Sequence, residues 1–402
     1  MTTTAASVNE DHRARANVWR LAAAMALAGA NSTVIFATGA IIGVQLAPVR
    51  GLATLPISCY VVGMAISTLP AGVIARRFGR RPVFMIGTSA GVLCGILAAY
   101  AVIHQIFWLF CMATFFGGIY GAVVQSYRFA AADGVAHSLR ARAISLVMAG
   151  GVIHGLLGPE LVTLTMNLWR PYLFAASFVV QAVVALIALA VVSTIDIPKP
   201  PASHTDGARP LFEIVRQLNF IVAALCGVVS YALMNLVMTS APLAMKMCGF
   251  APQDSNFVIQ WHVVAMYLPS FLTGAIISRF GARKVVGAGL LMIASAAVLG
   301  LSGITLTHFV LGLTLLGLGW NFGFIGASAM VVETHTAAER AKVQAFNDFL
   351  IFSTMAIGSF SSGQLLAFFG WASVNWVVFP PVLVALLLLL FNRLRRRHLA
   401  AA

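Results

Sequence analysis

Two stretches of the chain set soft donor atoms at helical spacing. SYALMNLVM, residues 230–238, places Met234 and Met238 four apart, and QWHVVAM, residues 260–266, places His262 and Met266 four apart. Residues four apart share one face of a helix, so each stretch offers a stripe of two donors. Thioether sulfur and imidazole nitrogen bind hard ions such as magnesium and calcium poorly and suit copper in its reduced state. Being neutral, they need no buried counter-charge inside a membrane. With 15 Met in 402 residues, chance alone yields about half a Met-x-x-x-Met pair. A packing stripe of flexible Met side chains has the same spacing, so the pattern acquires weight only from the two stretches occurring together.

Other reactive or charged groups surround these stretches. Cys226, Met245, Met247 and Cys248 flank the Met pair and read as accessory thiols or an entry point. Cys226 and Cys248 lie about 33 Å apart along a straight helix, too far for a direct disulfide. The five cysteines form no recognisable disulfide framework. Arg128, Asp133, His154, Glu160 and Glu333 stand within or beside long apolar runs, where ionisable groups mark gates, pathways or proton relays.

The elements that must position these residues follow from composition. The chain is 60% hydrophobic and 9% charged, with a mean hydropathy of +0.94, whereas soluble domains carry about a quarter charged residues. Apolar runs long enough to span a bilayer recur near 17–43, 53–75, 83–103, 106–132, 142–166, 171–194, 216–244, 255–278, 284–304, 307–333, 342–368 and 371–392. Lipid offers no partners to backbone N–H and C=O groups, so these runs must be helices. The expected fold is an all-α membrane protein of twelve transmembrane helices in two pseudo-symmetric six-helix halves. The first helix is read as retained rather than as a cleaved signal.

Charge sets the expected topology. The net charge is +14, but the basic residues are not arranged as a nucleic-acid surface. Alternate loops hold 21 Lys and Arg on one side and three, Arg50, Arg170 and Lys246, on the other. That bias places both termini in the cytoplasm.

A polar stretch from Asp196 to Pro210, rich in Pro, Gly and Ser, divides the chain. The expected organisation is a cytoplasmic tail (1–16), a first half (17–194), a linker (195–215), a second half (216–392) and a basic tail (393–402). Repetition supports it. GVIARRFGRR begins at Gly72 and GAIISRFGARK at Gly274, an offset of 202. Asp133, Arg140 and Arg142 are matched by Glu333, Arg340 and Lys342 at an offset of 200. Two markers at nearly one offset point to internal duplication, the plan of alternating-access carriers.

On these residues the chain resembles the major facilitator superfamily, whose loop after the second span follows G-x-x-x-D-R/K-x-G-R/K-R/K. Gly72, Arg77, Gly79, Arg80 and Arg81 fit, and the repeat keeps Gly274, Arg279, Gly281 and Arg283. The family's aspartate is replaced by Arg76 here and by Ser278 in the repeat, so its cytoplasmic latch is not carried over. Asp133 and Glu333 are candidate replacement acids. The resemblance implies a transporter, not an enzyme, with no resident cofactor.

The joint Met and His motifs on the seventh and eighth spans resemble those of the CcoA-type copper importers, a branch that supplies copper for cytochrome oxidase assembly in bacteria. That resemblance implies Met234, Met238, His262 and Met266 as metal ligands, copper as cargo and a cytoplasmic copper acceptor as partner. The leading expectation is therefore a monomeric copper importer in the lipid bilayer of the bacterial inner membrane, with no nucleic-acid partner. The second expectation keeps the fold and changes the cargo to a small organic solute such as riboflavin, moved with protons and stacked on Tyr120, Tyr127, Trp261 or Trp320.

Overall fold

The computed structural model describes residues 2–49, 52, 55–133, 135–197 and 209–401. Residues 198–208, which hold Lys199 and most of the expected linker, lie outside the described residues, as does Arg50. Among the described residues all regular structure is helical, and twelve helices are long and apolar enough to cross a bilayer.

In chain order the helices of the first half are α1 (Thr2–Leu46), α2 (Leu55–Phe78), α3 (Arg80–Ile103), α4 (Phe107–Asp133), α5 (Arg140–Ala149), α6 (Gly151–Thr165) and α7 (Ala175–Ser193). Those of the second are α8 (Leu211–Val215), α9 (Leu218–Met247), α10 (Pro252–Tyr267), α11 (Ser270–Phe280), α12 (Ala282–Ser302), α13 (Leu306–Val332), α14 (Arg340–Trp376) and α15 (Phe379–Ala401). The fifth span joins α5 to α6, and the eighth joins α10 to α11. The chain turns from the eleventh span to the twelfth inside α14 at Gly370, whose φ of 76° only glycine adopts without strain.

The chain divides into two compact units, Met1–His204 and Thr205–Ala402. Large apolar side chains such as Trp19, Leu164, Leu272 and Phe368 are exposed on them. Such a surface would aggregate in water and is the ordinary surface of a protein in hydrocarbon.

In the first unit α1 packs against α4, α6 and α7, while α4 also carries α2 and α3. Within lipid, apolar burial does not drive helices together, so close packing between small residues must. The α2–α4 seam shows this. A Cβ added to Gly118 would strike the Tyr60 carbonyl, and one added to Gly63 would strike that of Phe115. In the second unit α13 is the hub, in contact with α9, α10 and α12, and α9 packs also on α14.

Candidate functional site

The second unit holds an aromatic cluster at its hub. Trp320 of α13 is fully buried. It stacks on Phe324 one turn along its own helix, with centroids 5.0 Å apart and 20° between planes. Tyr231 of α9 meets the Trp320 ring edge-on at 5.5 Å, and Tyr267 of α10 does so at 5.6 Å. Phe352 of α14 meets Tyr231 at 5.9 Å. Two other spans thus meet the indole directly, and a third joins the cluster through Tyr231. Edge-to-face pairs of this kind add about 0.5–1.5 kcal/mol each beyond the area they bury.

Polar atoms without partners accompany the cluster. Trp320 Nε1, Ser230 Oγ, Asn235 Nδ2, Thr239 Oγ1 and His262 Nε2 are buried and make no hydrogen bond. Leaving such a group unpaired costs about 1–3 kcal/mol, so these five are the atoms near the cluster that a polar ligand could satisfy. Their levels follow from the helical rise. Asn235 lies four residues beyond Tyr231, about 6 Å along α9, and His262 lies five before Tyr267, about 7.5 Å along α10. Consecutive spans run in opposite directions, so both displacements lead away from Trp320 toward the α9–α10 connection. Asn235, Thr239 and His262 thus stand one to two turns beyond the ring cluster, while Ser230 Oγ and Trp320 Nε1 lie at its level.

His262 is oriented by α13. Its Nδ1 lies 2.7 Å from the Leu313 carbonyl. A carbonyl only accepts, so Nδ1 carries a proton, and Nε2 is the ring atom left for another partner. The close approach depends on Gly317, because a Cβ there would meet the His262 carbonyl and the Met266 amide. Just below, Pro269 interrupts the eighth span, and Asn321 of α13 fills the break. Its Nδ2 donates to the Met266 carbonyl and to Ser270 Oγ, each at 2.6 Å, and its Oδ1 accepts from Thr273 Oγ1 at 2.6 Å.

Met234 and Met266 are buried and Met238 is half-buried. The copper expectation had α9 and α10 as direct neighbours closing on an ion. In the structure α10 lies chiefly on α13, and His262 is bound to that helix. Among the described residues no three of His, Cys, Asp and Glu gather as a metal site. Of the proposed accessory residues, Cys226 and Met245 are buried whereas Met247 and Cys248 are exposed. Trp261 is exposed, and Tyr120 and Tyr127 are buried in the first unit, where Tyr127 meets Phe84 edge-on at 4.8 Å.

The ionisable residues singled out in the sequence have distinct settings. Asp133 at the end of α4 pairs with Arg80, whose Nε and Nη2 both donate to Asp133 Oδ2, at 3.2 and 2.7 Å. Arg128 is fully buried, donates to the Gln125 carbonyl and lies over the Phe129 ring. His154 packs on Gly29 of α1, with Nε2 3.4 Å from Ser32 Oγ. Glu160 and Glu333 are exposed, as are Arg77 and Arg81, while Gly72 is buried. Both copies of the basic loop turn at their second glycine, Gly79 with φ 90° and Gly281 with φ 86°.

Sequence reasoning passed over Arg209 and Glu339 as a pair. Arg209 Nε and Nη2 donate to the two Glu339 oxygens at 2.8 Å each, and its backbone N–H adds a third bond at 3.0 Å. The Thr336 N–H also donates to Glu339, Arg209 Nη2 donates to the Thr334 carbonyl, and Lys342 donates to the Arg209 carbonyl. The guanidinium holds the buried Glu339 carboxyl down at about 2. Asn235 and the ring partners of Trp320 were missed too. The available signal was the alignment of aromatic residues at one depth across four spans.

Comparison with known proteins then bears on cargo. A profile of the Major Facilitator Superfamily matches residues 21–251 and again 223–401. A protein of Brucella anthropi named riboflavin transporter RfnT is 44% identical over 392 residues, covering 96% of this chain and 98% of the relative. The uncharacterised transporter YdeG of Bacillus subtilis is 30% identical over 361 residues, covering 84% and 83%. Among solved structures the proton:xylose symporter XylE aligns with a TM-score of 0.80 over 94% of this chain and 95% of that one, at 15% identity, a likeness of fold alone. The first of these relatives overturns the copper reading. Copper as cargo, a copper acceptor, a role in cytochrome oxidase assembly and membership of the CcoA-type branch are withdrawn, because extended identity to a riboflavin transporter outweighs a four-residue spacing that packing also explains.

Proposed function

The chain belongs to the major facilitator superfamily, and we propose that it carries riboflavin, or a closely related flat and hydroxylated solute, inward across the bacterial cytoplasmic membrane. It is a transporter rather than an enzyme. The observation that carries the proposal is the 44% identity to a riboflavin transporter along nearly the whole of both chains. The charge bias of the loops supports an orientation with both termini in the cytoplasm.

The chemistry of the second unit suits this cargo. Riboflavin is a neutral tricyclic plane bearing a chain of hydroxyl groups. The plane stacks on the floor made by Trp320, Phe324, Tyr231 and Tyr267, and the hydroxyl and amide groups satisfy Asn235 Nδ2, Thr239 Oγ1 and His262 Nε2. Stacking on an aromatic side chain contributes about 1–3 kcal/mol per ring system. A site built to hydrogen-bond its substrate rejects analogues that leave its polar groups unpaired. Proton coupling is part of the proposal, with His154 and Glu160 as the groups to examine.

The test is uptake of radiolabelled riboflavin into proteoliposomes. Wild-type protein should accumulate it above protein-free vesicles. Asn235→Ala and His262→Ala should each lower uptake at sub-saturating substrate by roughly tenfold, at unchanged protein level. Accumulation no higher than in empty vesicles sinks the proposal, and undiminished uptake by both variants sinks the site.

A further inference from the structure

Two thiols meet at one end of the α2–α4 seam. Cys59 of α2 and Cys111 of α4 are side-chain neighbours across the seam. The register of the seam accounts for this. The second and fourth spans run in the same direction, and Gly63 rests on the Phe115 backbone, an offset of 52 residues. One turn earlier on each helix, at the same offset, stand Cys59 and Cys111. With no side chain between the helices at Gly63 and Gly118, the backbones approach closely enough for two short side chains one turn away to touch. Both thiols are free; Cys111 is buried and Cys59 half-buried.

We propose that Cys59 and Cys111 are a redox-active pair that forms an interhelical disulfide, stapling α2 to α4 within the first unit. In the orientation proposed above, the pair lies one turn inside the outer surface, facing the oxidising side of the membrane. The oxidant is of the disulfide class. The Cys59 thiolate attacks one sulfur of an external disulfide and releases the first thiol, giving a mixed disulfide. The Cys111 sulfur then displaces the second thiol and closes the Cys59–Cys111 bond. Both protein sulfurs are oxidised, the external disulfide is reduced to two thiols, and the two protein thiol protons pass to the two leaving thiolates. The inference is independent of the cargo.

The experiment treats purified full-length protein with oxidised glutathione, alkylates the remaining thiols under denaturing conditions and digests the chain for mass spectrometry. The expected product is a linked peptide pair containing Cys59 and Cys111, absent after reduction and absent in Cys59→Ser. Exposed Cys248 serves as the internal control, because it takes up glutathione wherever the oxidant is active. Glutathione on Cys248 with no linked pair overturns the proposal. So does a linked pair joining Cys111 to another cysteine. Membrane-impermeant oxidant applied to sealed spheroplasts should give the same linked pair, and its formation only after lysis would overturn the outward placement.

Discussion

At the turn after the second span, Arg80 reaches back to Asp133 at the end of α4, and both side chains are nearly buried. At the copy of that turn after the eighth span, the acid at the matching place, Glu333, is exposed. The buried carboxylate there is Glu339, six residues on, and its partner is Arg209, which precedes α8. The two loops share glycines at positive φ and a row of arginines, yet one closes its ion pair within the repeated element and the other takes the cation from the linker. The contrast shows what duplication preserves. Backbone turns persist because only glycine meets their geometry, whereas charge partners drift to any acid within reach, provided that buried charges stay paired.

Three substitutions probe this contrast. The largest effect belongs to Asp133→Ala, which removes the buried carboxylate that Arg80 Nε and Nη2 both donate to, at a cost of about 3–5 kcal/mol. The expected outcome is a collapse of folded protein recovered from membranes, with partial recovery in the exchange Arg80→Asp with Asp133→Arg. Wild-type abundance of Asp133→Ala would erase the distinction between the loops.

Glu339→Gln should cost less, about 1–2 kcal/mol, because Arg209 is a third exposed and turns to water. Hydrogen exchange at the Arg209 and Thr336 amides, both bound to Glu339, should then quicken roughly tenfold. The carboxyl is held below its ordinary value of 4.5, at about 2. The pair therefore contributes fully above pH 4.5 and loses its contribution as pH falls toward 2. Loosening of these amides on raising the pH from 5 to 8 would contradict that sign.

The smallest effect belongs to Glu333→Gln, an exposed position where abundance and uptake should match wild type. A loss comparable to that of Glu339→Gln would mean that the repeat had kept its ancestral partner after all.

Twelve spans were legible in the sequence because lipid leaves a hydrophobic run one backbone solution. One break was not: the eighth span divides at Pro269, a local event within an apolar run, whereas the reversal at Gly370 falls between the expected runs 342–368 and 371–392. The copper reading, overturned by the riboflavin-transporter relative, rested on spacing alone. A spacing of four states which residues share a face but not which helix that face meets, and His262 meets α13 rather than α9. Trp320 was visible as a stacking candidate. Its partners Tyr231 and Tyr267 belong to two other spans, and Phe352, which meets Tyr231, belongs to a third, so their convergence is tertiary information. Cys59 and Cys111 escaped notice for the same reason, since nothing local marks the register of α2 on α4.

The break in the eighth span also bears on how tightly the carrier can insulate the cell. A kinked membrane helix that left its loosened carbonyls to solvent would string water molecules toward the midplane, and a file of water conducts protons. Asn321 supplies that bond from a side chain anchored at three points. The Met266 carbonyl at the break is thereby occupied by protein rather than left for water.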